Sequence, residues 1–348
     1  MSAPEVPALA AARETLVWSL ALVDPALRAA VDTLPASTRH IGGYHLGWWD
    51  ERGVPEPTPA GTAVRPALVL LSAVVAGGSA REAVPAAVAV ELVHYFSLLR
   101  EDTTGTRASG NRPPVWRLFG SGPVVLAGDA LVALACEVVA DSGHPSAHEG
   151  ARVLSETVRH LVEGRAPVDL PTQGPVGAIP GLGAEAPEGY ETTAAHRTAA
   201  LIGCACALGA LFGGADRRGV ERMRTFGECL GLAFQHVEDL LGIWGDPSVT
   251  GQPPHTHLRD RRRSLPVVHA LTSGTPAARD LAALYATSEP LDDAQLGHAA
   301  ALVARAGGRA WSQAMADKLL HRALVQLEPG GASTELAGLA RLVTRGAR

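Results

Sequence analysis

No stretch of this 348-residue chain alternates apolar and polar residues convincingly enough to make a strand. Its apolar residues recur at three- and four-residue steps, in runs separated by joints rich in proline and glycine. Such a chain packs helices on helices. Near Pro7 to Leu34 a first amphipathic run puts Leu16, Leu20, Val23 and Leu27 on one stripe. The segment Gly42 to Gly61, with Trp48 and Trp49, reads as a loop. Helical runs then follow at AVRPALVLLSAVVAGG, Val84–Leu99, Val124–Val139 and Ala151–Val162. Ala166 to Gly189 is too irregular for a core element, and helices resume from Thr193 to Arg345. The expected fold is all-α, a bundle of ten or more helices. Residues 1–60 form its N-terminal helix and loop, and residues 61–348 the helical domain, as one fold.

Composition narrows the functions. The chain is 47% hydrophobic, enough for a sizeable core, and its net charge of −5 supplies no basic field for nucleic acid. No run approaches the ~20 apolar residues of a membrane span, and no charged-then-apolar segment opens the chain. Cys136, Cys204, Cys206 and Cys229 lie in apolar helical runs, which suits buried thiols and a reducing, cytoplasmic setting. Lys318 is the single lysine, so basic roles fall to arginine.

Two places break the apolar pattern in the same way. GLAFQHVEDLLG sets Glu238 and Asp239 in a run of helical period, and ELVHYFSLLREDTTG sets Glu101 and Asp102 at the polar end of another. A glycine stands three residues after each pair, at Gly105 and Gly242. After the second pair, a Pro/Gly loop leads to Arg259, Arg261, Arg262 and Arg263. Paired acids on two helices are how bundles hold divalent cations, and nearby arginines add an anion-binding surface. The plainer reading of either stretch is a solvated helix end.

Several motifs in order resemble the trans-isoprenyl diphosphate (polyprenyl) synthase family. VRPALVLLSA is similar to that family's G-K-x-x-R-P helix, and ELVHYFSLL to the run before its first aspartate-rich motif. VVLAGDALVALACEV is similar to the helix after that motif, and HRTAALIGCACALGAL to the K-T-A-A-L helix. Gly231 to Pro266 resembles the F-Q-x-x-D-D-x-x-D helix with its basic turn. The resemblance implies the isoprenoid-synthase helical bundle, a homodimer, and magnesium (Mg2+) held between two aspartate-rich helices to grip an allylic prenyl diphosphate. It assigns metal binding to Glu101, Asp102, Glu238 and Asp239. It assigns the allylic diphosphate to Arg197, Thr198, Gln235 and Arg262, and isopentenyl diphosphate to Arg65 and His94.

The departures from the family pattern fall in the site. Gly105 replaces the last acid of the first motif, so the i, i+4 pair on one helix face is lost there. Gly242 takes the same place in the second motif, Thr62 stands for a lysine, and Ser109-Gly110 for paired arginines that Arg107 or Arg112 could replace. Arginine substitutes for lysine at Arg197 and Arg262 with a planar fork in place of a point charge. His257 falls where the family has aspartate, and the His255-x-His257 spacing alone is too weak to claim a metal. The implied activity is a short-chain prenyltransferase, altered or reduced. The alternatives are a class I terpene cyclase on the same fold and a non-catalytic subunit paired with an active synthase. Against a cyclase, aromatic residues make up only 4% of the chain, leaving few π-faces for cations. Duller readings stand beside these: His94 as a core histidine, Arg65 paired with a surface acid, Trp48 and Trp49 packing a loop. Phe96, five residues before Glu101, either floors the product channel and keeps chains at farnesyl size or less, or packs on another helix.

Overall fold

The computed structural model describes residues 5–56, 63–103, 112–163, 198–287 and 289–345. Among the described residues there are helices and loops and no strand, with one isolated bridge between Trp49 and Pro55. The all-α expectation therefore holds. Backbone contacts divide the chain into two compact units.

The first unit takes residues 1–161, 201–227 and 327–339. Its helices are α1 (Glu5–Asp32), α2 (Ala36–His45), α3 (Val64–Val75), α4 (Val84–Thr103), α5 (Val115–Phe119), α6 (Ser121–Ala140) and α7 (Ala147–Glu163). To these it adds α8 (Ala200–Phe212), the first part of α9 (Arg217–Trp244) and most of α16 (Gly331–Val343). The centre is α3, α4 and α8, whose apolar runs have no solvated face. Pro66 to Ala73, Ala86 to Val93 and Leu201 to Ala210 are buried without a break. α8 crosses α3 with backbones almost touching, because Gly209 and Gly213 have no Cβ to strike Val69 and Ala73. α4 packs most extensively on α6.

Two expectations need correcting here. The stretch from Gly42 does not begin as loop: it is the end of α2, and the Trp49 ring lies on Gly43, where any Cβ would collide. Trp49 also donates its indole N–H to His40 O at 2.9 Å. Glycine there serves packing, which its usual turn preference hid. In addition, α6 does have the length and composition of a membrane span, with 20 residues and a mean hydropathy of 1.9. Val124, Ala127, Gly128, Leu131 and Leu134 are buried in the unit, while Asp129 and Glu137 are exposed. Helix starts also shift by three or four residues: α6 begins at Ser121, α7 at Ala147 and α9 at Arg217. The 166–189 segment lies outside the described residues.

The second unit takes residues 162–200, 228–326 and 340–348. It holds the rest of α9, then α10 (Pro247–Thr250), α11 (Thr256–Arg259), α12 (Leu265–Thr272), α13 (Pro276–Tyr285), α14 (Asp293–Arg305) and α15 (Gly308–Val325). Its core joins Ile243, Leu258, Val267, Leu281, Leu296, Leu302 and Val303. Asp292 and Gln295 cap the start of α14 reciprocally.

Candidate active site

In the first unit the acid pair ends α4. Consecutive helix residues point about 100° apart, so one acid turns inward when its neighbour turns out. Asp102 is the inward one, only 3% exposed. Its Oδ2 accepts the N–H of Val115 at 2.6 Å and of Trp116 at 3.4 Å. It thereby caps α5, whose own N-cap residue, Pro114, offers no side-chain acceptor. Glu101 is half-buried. Gly105, Arg107, Ser109, Gly110 and Thr62 lie outside the described residues. Arg112 is occupied elsewhere: it donates to Trp49 O at 2.7 Å, pairs with Glu56 at 3.2 Å and lies over the Tyr44 ring.

One turn and more before the acids, α4 presents a second polar group. Arg65 Nε donates to Glu91 Oε1 at 2.7 Å, and Glu91 is only 6% exposed. Arg65 therefore pairs with an acid, as the duller reading had it, but a buried one. The Tyr95 hydroxyl adjoins Glu91, and burial first, then that carboxylate, pushes its pKa far up. The His94 ring leans on Tyr95 with centroids 5.5 Å apart. Phe96 is buried, its ring beside Gly128 of α6 and 5.6 Å from the Arg100 guanidinium.

In the second unit a chain of hydrogen bonds runs into the second acid pair. Gly231 lets the backbone of Ala199 lie on α9, where a Cβ would come within 2.6 Å of the Ala199 Cα. That approach lets Thr198 Oγ1 donate to Gln235 Oε1 at 2.6 Å. Gln235 Nε2 in turn donates to Asp239 Oδ1 at 2.9 Å, and Asp239 Oδ2 accepts Leu265 N–H, at the start of α12, at 2.8 Å. Asp239 is 3% exposed, and that burial raises its pKa to about 7 despite the two hydrogen bonds. Glu238 is exposed, and the protein crowded around it raises its pKa by desolvation. Arg197 lies outside the described residues.

The arginine cluster separates into parts. Arg261, at positive φ, clamps the end of α13 through Tyr285 O and Thr287 O, and Arg259 pairs with Asp293 at 2.9 Å. Arg262 is exposed, with Asp260 at 3.6 Å. Two of the four arginines are thus structural. Among the described residues, no group of three or more His, Cys, Asp or Glu side chains gathers as a metal site. Sequence reasoning missed Glu91, Tyr95 and the placement of His257. A lone acid three residues before His94 in an apolar run was the available signal for the first.

The protein is thus all-α, with an adjacent Glu-Asp pair on each of two helices. Residues 56–303 match the family model described as polyprenyl synthetase. The chain is 40% identical over 299 residues to a (2E,6E)-farnesyl diphosphate synthase of Mycobacterium tuberculosis, covering 85% of this chain and 81% of that one. It is 38% identical over 323 residues to a geranylgeranyl diphosphate synthase of the same organism, covering 92% and 90%. A crystal structure of a polyprenyl synthetase from Streptomyces coelicolor A3(2) matches with TM-score 0.88 at 38% identity, over 95% of this chain and 99% of that one. The protein belongs to the polyprenyl synthetase family. It is accordingly a prenyltransferase of isoprenoid biosynthesis, and neither the cyclase nor the non-catalytic alternative gains support from these relatives.

Proposed function

We propose that the protein joins a short allylic diphosphate to isopentenyl diphosphate in the cytoplasm. The C–O bond of the allylic substrate breaks, diphosphate leaves, a C–C bond forms to the second substrate's alkene, and a proton is lost. Support comes chiefly from the Thr198–Gln235–Asp239 chain, which holds polar atoms in fixed orientation beside an acidic helix end. Preorganised dipoles of this kind stabilise developing charge without rearranging.

Glu101, Asp102, Glu238 and Asp239 would hold Mg2+. All four offer hard carboxylate oxygens, the donor type this ion takes, so the residues fit it. The ion would supply Lewis-acid neutralisation of the departing diphosphate. Asp102 and Asp239 each also anchor a helix N-terminus, so the two glutamates carry more of the ligand-facing role. Arg197, Thr198, Gln235 and Arg262 hold the allylic diphosphate. Arg65 and His94 hold isopentenyl diphosphate, with Glu91 fixing the Arg65 fork. Phe96, set against α6, limits the product to farnesyl size or less. A second copy of the chain is the proposed partner, seated on the exposed apolar residues Leu118, Val125 and Leu126; pairing with an active synthase is the alternative.

Purified protein given Mg2+, an allylic diphosphate and labelled isopentenyl diphosphate should yield a longer diphosphate. Absence of both elongation and diphosphate release refutes the reading. Phe96→Ala should extend the product by one or more five-carbon units. Unchanged chain length removes Phe96 from that role.

A further inference from the structure

Two oddities of the second acidic motif, glycine at 242 and histidine at 257, form one arrangement. Gly242 stands four residues after Glu238, on the same side of α9, and a Cβ there would run into the His257 ring. The imidazole thus fills the space that a side chain at 242 would use. Three contacts hold it there. His255 Nδ1 donates to Ile243 O at 2.7 Å, tying α11 to the end of α9. Leu258 is fully buried in the core beside Ile243, and Arg262 N–H donates to His257 O at 2.8 Å.

The ring so fixed leaves one polar atom unpartnered. His257 Nδ1 is buried and has no hydrogen-bond partner. It lies 3.8 Å from Asp239 Oδ1, too far for a hydrogen bond. Two ligands of one divalent ion, each bonded at about 2.0–2.2 Å, can stand that far apart. Asp239 Oδ1 has spent one lone pair on Gln235 and keeps another. In the tautomer protonated on Nε2, His257 Nδ1 also presents a lone pair.

We propose that His257 binds a divalent cation through Nδ1 together with Asp239 Oδ1, in the place that glycine at 242 leaves open. The inference rests on the reading that this motif binds a cation with diphosphate. Water and phosphate oxygens complete the coordination, as is common for cations held by one or two side chains. An imidazole nitrogen favours borderline first-row ions such as Co2+ over Mg2+, and Mn2+, a harder ion that takes the oxygen ligands of Mg2+, serves as the paramagnetic probe.

The test titrates the full-length protein with Mn2+ in the presence of inorganic diphosphate, and reads the bound ion by pulsed electron paramagnetic resonance. Wild type should show nitrogen-14 modulation from one imidazole. His257→Gln, which keeps most of the bulk, should abolish it and weaken Mn2+ binding about tenfold. Gly242→Ala alters no ligand but displaces the ring, so it should weaken modulation and binding together. That variant also serves if His257→Gln does not fold. Bound Mn2+ without nitrogen coupling in wild type, or coupling that survives His257→Gln, overturns the ligand assignment alone. No Mn2+ uptake even with diphosphate overturns both the assignment and the cation reading beneath it.

Discussion

The two acid pairs share a two-letter motif and one structural trick, yet they sit in different surroundings. In both units the aspartate turns inward and accepts the first N–H groups of a later helix, thirteen residues on in one case and twenty-six in the other. Asp102 turns one oxygen to two backbone donors at the mouth of α5. Asp239 uses both oxygens, one on α12 and one on Gln235, with an imidazole alongside. The lesson is that an acid in such a motif can be a loop anchor first and a ligand second. How much further it goes depends on what the returning chain brings beside it.

That contrast can be broken by measurement. The largest effect expected is from Asp239→Ala, which strands a buried backbone N–H and the Gln235 amide. It should cost about 3 kcal/mol in urea unfolding, at the upper end for unsatisfied buried groups. Asp102→Ala loses a cap and should cost about 1–2 kcal/mol. An equal or reversed order would show that the two aspartates are structurally equivalent. Next, the arginines that accompany the motifs should differ in what they support. Arg261→Ala releases the end of α13 and should cost about 1.5 kcal/mol, and Arg112→Ala about 1 kcal/mol. Arg262→Ala should leave the denaturation midpoint within about 0.5 kcal/mol of wild type while raising KM for the allylic diphosphate.

Smaller still is a pH effect confined to the second unit. Burial lowers the pKa of His269, which stacks on Trp311 at 4.5 Å. The unfolded chain then binds the proton more readily than the folded one. Stability is full above the ordinary histidine value of about 6.5 and declines as pH falls below it. His236 and His257, both lowered to about 4 by burial, carry more of that decline, so His269→Gln should make it only slightly shallower and His236→Gln should flatten it further. The mildest readout is chemical. Burial raises the thiols of Cys204 and Cys206 to about 11 and about 12, so a thiol reagent at pH 8 should label half-buried Cys136 first.

The fold was legible because helical periodicity survives in nearly every element, and the acids stood out against it. Sequence also shows that adjacent helix residues face different ways, so one acid of each pair had to turn inward. It does not show which distant N–H meets that carboxylate, since the partner depends on how the chain returns. His257 illustrates the same limit. Its spacing from His255 carried nothing, while its meaning lies in a ring resting on Gly242 across fifteen residues. Glycine misled in the other direction at α2, where Gly43 marks a tryptophan seat within a helix.

The glycine-matched crossing of α8 on α3 also sets a schedule for synthesis. Val69, Ser72 and Ala73 present a groove that Gly209 and Gly213 fill, more than a hundred residues later in the chain. The helices α1 to α7 therefore leave the ribosome with that groove uncovered, an apolar strip bare for as long as translation takes to reach α8. At about 5–20 residues per second, that interval lasts roughly 7–30 s. The second unit has no comparable wait, because its core from Ile243 to Val303 is contiguous in sequence and can close as it emerges.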